Sequence, residues 1–134
     1  MPTKKVTFKN KDGIVLSGRL ELPLKTEPTQ FALFAHCFTC NKNLNAVKHI
    51  SRALAQKGFG VLRFDFTGLG ESDGDFEDTN FTGNVNDLIE AASFLEKEYI
   101  APQLIIGHSL GGAAAISASS KIPSIQAVVT VGAP

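Results

Sequence analysis

The stretch "QLIIGHSLGGAAAISAS", residues 103–119, limits the folds open to this chain more than any other. Strand-like residues run into Gly107-His108-Ser109-Leu110-Gly111, and a helix of small residues follows without a linker. A turn that sharp needs Gly107 and Gly111, because side chains there would collide as strand and helix approach each other, and it forces Ser109 out at the C-terminal edge of a sheet. The new helix aims unpaired backbone N–H groups, and the positive end of its dipole, at the space beside the serine. Leu110 N–H is then the first donor available to an oxyanion. The competing reading is a serine that merely caps a helix in a glycine turn.

The flanking pattern gives the turn a sheet to stand on. Residues 5–10 alternate apolar and polar, Lys11-Asp12-Gly13 supplies a turn, and "IVLSGRLELP" alternates again, which predicts a β-hairpin. "FALFAH" is apolar without alternation, the mark of a strand covered on both faces. Val47, Ile50, Ala53 and Leu54 recur at helical spacing up to a capping Gly58. "FGVLRFDF" predicts the next strand and "TGLGESDGDFEDT" a long loop. Residues 84–98 carry Val85, Leu88, Ile89, Ala92 and Leu95 on one helical face, with Asn84 as its cap. A final strand, "IQAVVTVG", follows Pro123. The order predicts an α/β fold: an antiparallel hairpin, then a mainly parallel sheet with helices on both faces and right-handed crossovers. The chain stops at "VGAP" directly after a strand that looks buried, so residues 1–134 read as the N-terminal portion of one domain, ending after the sixth strand.

Charge and length exclude several classes of function. Thirteen basic residues balance thirteen acidic ones, and no Lys/Arg cluster exceeds the Lys4-Lys5 pair, so no nucleic-acid footprint is present and a small or neutral partner is expected. Apolar runs fall far short of the ~20 residues that span a bilayer, and the polar N-terminus lacks a signal peptide's apolar segment. A soluble, cytoplasmic protein without membrane contact is the expectation. The only cysteines, Cys37 and Cys40, are too few for a secreted disulfide framework and agree with a reducing compartment.

"GHSLGG", the strand "LFAHCF" and the loop "FDFTGLGESDG" together resemble the α/β-hydrolase superfamily, in its esterase and serine-aminopeptidase-like branch. "HCFTCNKN", "VLRFDFTGLGESDGDF" and "IGHSLGG" are more narrowly similar to bacterial hydrolases followed by an OsmC-like domain, which implies such a C-terminal domain in the full-length protein. The resemblance implies that Ser109 is the nucleophile and that the backbones of Leu110 and Phe38 are the oxyanion donors. It gives His36, Gly107, His108 and Gly111 supporting places around them. Cys37 stands where the family usually has glycine. Asp65 and the loop from Thr67 to Gly74 match a loop whose role is mainly structural. The implied substrate is a small acyl compound, an ester, thioester or amide, and no cofactor or metal is expected.

Three histidines are available as the base. His108 adjoins Ser109 and should point elsewhere at a tight elbow; His49 sits in a predicted helix; His36, at the end of the third strand, is the only rival. The superfamily's triad runs in the order Ser, acid, His, so the acid and histidine are expected beyond Pro134, and residues 1–134 alone are expected to be nearly inactive. Two other classes compete. Cys37-x-x-Cys40 before a helix is a thiol-redox signal, and a binding protein on the same fold would need no triad. A zinc set of His36, Cys37, Cys40 and His49 is cramped, and Gly68, Gly70 and Gly74 fail the spacing of a phosphate-binding loop.

Overall fold

The computed structural model describes residues 3–36 and 42–133. Strands β1 (Thr3–Lys9) and β2 (Val15–Glu21) pair antiparallel as the alternation predicts. Their turn is held by Asn10, whose Oδ1 accepts the N–H groups of Asp12 and Ile14 at 2.9 and 3.0 Å. Four more strands follow: β3 (Gln30–Ala35), β4 (Phe59–Phe64), β5 (Leu104–His108) and β6 (Ala127–Val131). Among them run helices α1 (Asn45–Gln56), α2 (Phe81–Glu98) and α3 (Leu110–Ser119). The sheet order is β1-β2-β4-β3-β5-β6, with β2 antiparallel to β4 and β3 to β6 parallel. The third and fifth strands are therefore neighbours, which sets the end of β3 beside the serine turn.

Successive side chains on a strand face opposite ways, so each strand feeds two layers. Leu33, Leu62, Phe64 and Ile105 pack with Val85, Leu88 and Leu95 of α2 and with Ala114 and Ala118 of α3. Phe34 and Ile106 turn to the other face and meet Val47 of α1. Burying each large apolar side chain contributes roughly 1.5–3 kcal/mol. That is the force seating α3 against β5 and fixing the angle of the turn between them.

Two expectations need correction. Helix α2 begins at Phe81, and Asn80 rather than Asn84 is its cap, accepting the Gly83 N–H at 2.8 Å. Thr82 and Gly83 carry no apolar signal, so the first turn is invisible to periodicity; Asn84 lies buried inside the helix. On α1 the buried residues are Val47, Ser51 and Ala55, while Ala53 is exposed. Ser51 can face inward because its hydroxyl donates to the Val47 carbonyl at 2.7 Å. Strand β6 is not covered on both faces: among the described residues it pairs with β5 alone, and Val129 and Val131 are 49% and 44% exposed. Only its Val128 side reaches the core beneath α3.

Candidate active site

The turn joining β5 to α3 has the predicted shape, and the structure gives each glycine its reason. A Cβ on Gly107 would run into the Gly112 Cα and, at 2.6 Å, the Gly111 carbonyl oxygen, which is the predicted approach of strand and helix. Gly111 answers to a different neighbour. Its missing Cβ makes room for the carbonyl groups of Ala35 and His36, at the end of β3. Ser109 between them has φ 57° and ψ −124°, and it is the one non-glycine residue with positive φ among the described residues. Such a conformation costs about 1–3 kcal/mol and persists only where its surroundings hold it. Here the Ser109 N–H donates to the Val131 carbonyl at 2.9 Å, and the Ser109 carbonyl accepts the Gly112 N–H at 2.9 Å.

The hydroxyl of Ser109 makes no capping hydrogen bond to α3, although the residue occupies the cap position. Leu110 opens the helix, so its N–H has no partner within it and faces the region of the serine. A hydroxyl not spent on the cap and a helix-end N–H thus come from adjacent residues. Ser109 is half-buried and Leu110 exposed.

The histidines separate by burial. His36 is fully buried, edge-on to the Phe66 ring at 5.0 Å, and its Nε2 accepts the Phe66 N–H at 3.4 Å. Its Nε2 also lies 3.9 Å from Asp65 Oδ1. His49 is exposed on α1. His108 stands opposite Val131 of β6, and its Nδ1 is buried without a hydrogen-bond partner among the described residues. None of the three hydrogen-bonds the Ser109 hydroxyl in the described part of the chain. Cys37, Phe38 and Cys40 lie outside the described residues; helix α1 starts beyond them, at Asn45.

An ionic cluster, buried at Lys42 and Asp65 and open to solvent at Glu71, carried no mark in the sequence pattern. Lys42 is fully buried, and its Nζ donates to Asp65 Oδ2 at 2.6 Å and to Glu71 Oε1 at 2.7 Å. The Lys42 backbone N–H donates to Asp65 Oδ1 at 2.7 Å, and the Glu71 N–H to Asp65 Oδ2 at 3.0 Å. No spacing rule links residues 42 and 65; the available signal is Gly70, whose φ of +52° and absent Cβ leave space for the Asp65 carboxylate. The hydrogen bond and then the charge of Lys42 hold the Glu71 carboxyl below its ordinary 4.5. The loop after β4 has a second anchor in Asp87 of α2, which accepts Thr67 N–H and Oγ1–H at 2.9 and 2.8 Å and Asn10 Nδ2–H at 3.2 Å. Burial pushes the Asp87 carboxyl above its ordinary 3.8, against those hydrogen bonds. This agrees with a structural role for the loop.

A cavity of about 520 Å³ opens between the β1–β2 turn, this loop and the start of α2. Asp12, Asp75 and Asp87 line it together with Gly74, a setting hostile to phosphate, and Ser109 has no part in it. Among the described residues no helix is long and apolar enough to cross a membrane.

Residues 27–134 match the model of the family described as serine aminopeptidase, S33. The chain belongs to that family. Its fold is the α/β-hydrolase fold: an esterase from Pyrococcus furiosus superposes with a TM-score of 0.88 at 24% identity, over 99% of this chain and 50% of that one. The esterase domain of a Rhodothermus marinus protein is 53% identical with a TM-score of 0.83, covering 100% of this chain and 51% of its own. Among curated relatives, the bovine mitochondrial palmitoyl-protein thioesterase ABHD10 is 28% identical over 73% of this chain and 32% of its own length. The family member in hand thus spans about half the length of the structures it matches.

Proposed function

We propose that this chain carries the nucleophile of a serine hydrolase that cleaves small-molecule esters, thioesters or amides. One observation carries the reading: Ser109 is held in a strained conformation at the sheet edge with its hydroxyl withheld from the helix cap. A capping serine would relax and bond the helix N–H groups; a nucleophile must keep its oxygen free. In the reaction Ser109 Oγ attacks the acyl carbon and gives its proton to a base. The oxyanion is held by the N–H of Leu110 and, on the resemblance, that of Phe38. The intermediate collapses to an acyl-enzyme as the alcohol, thiol or amine leaves with the proton, and water then releases the acid.

The three histidines of this chain do not suit the role of base, for the reasons of burial and placement given above. The reading therefore places the triad acid and histidine beyond Pro134; relatives twice as long leave room for both. Residues 1–134 are then the N-terminal portion of a hydrolase domain, and a following OsmC-like domain and a cytoplasmic location belong to the reading on sequence grounds alone. Without a base, only the smaller acceleration from binding and the oxyanion hole, on the order of 10³–10⁴ over water, is left to the chain by itself.

The test is covalent labelling of the complete hydrolase domain with a fluorophosphonate probe. The label should map to Ser109 by peptide mass and vanish in Ser109→Ala. Labelling that survives this substitution overturns the assignment.

A further inference from the structure

We infer that Gly132 is a positioning residue for the nucleophile: its left-handed backbone aims the carbonyl that holds Ser109, a role that rests on the reading of Ser109 above. Strand β5 lies between β3 and β6 and ends with His108 opposite Val131. The ladder to β6 runs one step further, where the Ser109 N–H donates to the Val131 carbonyl at 2.9 Å. That bond ties the strained serine, at φ 57°, to the end of β6. The residue directly after the accepting carbonyl is Gly132, with φ +63°.

Packing does not explain this glycine. Gly68, Gly70 and Gly74 also have positive φ, but at each a Cβ would strike a neighbour: Phe76, the Asp65 carboxylate or Thr67. A Cβ on Gly132 would meet no described atom within 4 Å, so its φ alone asks for glycine. The demand falls on one peptide group. A side chain at 132 disfavours φ +63°, and the smallest movement that restores a negative φ without redirecting the chain is a flip of the 131–132 peptide, which turns ψ of residue 131 and φ of residue 132 by about 180° each. The flip points the Val131 carbonyl away from Ser109. A strained residue persists only where its surroundings hold it, so Ser109 then relaxes and carries its hydroxyl with it. An error near 1 Å in a reacting group can cost ~10²-fold in rate.

The experiment measures ester hydrolysis and fluorophosphonate labelling by the complete hydrolase domain carrying Gly132→Val, Gly132→Ala, Gly132→Asn or Gly13→Val. Among residues with a side chain, valine suits a positive φ worst and asparagine best. Gly132→Val should lower kcat and the labelling rate by about 10- to 100-fold with KM within about threefold, and Gly132→Ala by about 5- to 20-fold. Asparagine, larger than either, should restore the rate to within about threefold of wild type. Gly13 is the matched control: its φ is +79°, a Cβ there would meet no described atom within 4 Å, and it sits in the β1–β2 turn at the other edge of the sheet. Gly13→Val carries the same kind of backbone strain, so it should lower Tm as much as Gly132→Val does and leave kcat within about twofold. Should Gly132→Val fail to fold, the comparison of Gly132→Ala with Gly132→Asn decides. Folded alanine or valine variants no slower than Gly132→Asn overturn the inference, because φ then has no bearing on the rate, and so does an equal loss of kcat in Gly13→Val. Labelling or turnover that survives Ser109→Ala instead brings down the reading beneath it, so the two failures are distinct.

Discussion

Gly111→Ala places a methyl group against main chain that has no easy way to move. Its Cβ would lie against the Ala35 and His36 carbonyl oxygens and 2.8 Å from the Ala35 carbonyl carbon, all at the end of a strand bonded on both sides. Relief requires α3 to back away from β3 by about an ångström, and with it Ala114, Ala115 and Ala118, which are fully buried. Overpacking of this kind costs about 3 kcal/mol at the upper end of the usual range. Alanine's better helix propensity returns about 1 kcal/mol, leaving a net loss near 2 kcal/mol. For a complete hydrolase domain that corresponds to roughly 4–8 °C in Tm. Gly112→Ala is the control, because its Cβ meets two side-chain atoms, Ala133 Cβ at 2.9 Å and Thr130 Cβ at 3.3 Å, and one carbonyl oxygen, that of Gly107 at 3.2 Å, where Gly111 would press on two. Its Tm should stay within about 2 °C of wild type. Since Ser109 moves with α3, Gly111→Ala should also slow fluorophosphonate labelling by ~10²-fold. Equal melting temperatures and labelling rates for the two variants would refute the claim that Gly111 is required by the end of β3.

Two further outcomes can be measured. The Glu71 carboxyl titrates below 4.5 in the folded protein because of Lys42, with Lys5 and Arg19 adding to the effect, so its contribution to stability is complete above pH 4.5 and disappears as pH falls through the lowered value. Glu71→Gln should therefore flatten the acid side of the stability curve, read as urea midpoints from pH 3 to 6; an unchanged slope there would contradict the pairing. Residues 1–134 expressed alone should self-associate, since β6 presents an unpaired edge with Val129 and Val131 open to water, and a monodisperse monomer in sedimentation would show that this edge is protected.

Local physics made much of this protein legible in one dimension. Apolar spacing located the six strands and helices α1 and α2, the run of small residues located α3, and the need for a bare backbone at a sharp strand-to-helix turn singled out Gly107, Ser109 and Gly111. These features depend on neighbours within a few residues, which a sequence displays directly. Errors arose at polar side chains that apolar spacing does not score, even though their partners are local: Ser51 faces inward because its hydroxyl finds the Val47 carbonyl, and Phe81 starts α2 because Asn80 caps it. The adjacency of β3 and β5 was already expected from the strand–helix order; packing decided the true neighbour of Gly111, the carbonyl end of β3. The same holds for Lys42 and Asp65, which are distant in the chain and ordinary in composition. Their meeting exists only because β4 ends where the segment after β3 re-enters the core, and a buried charge there must find its opposite or leave.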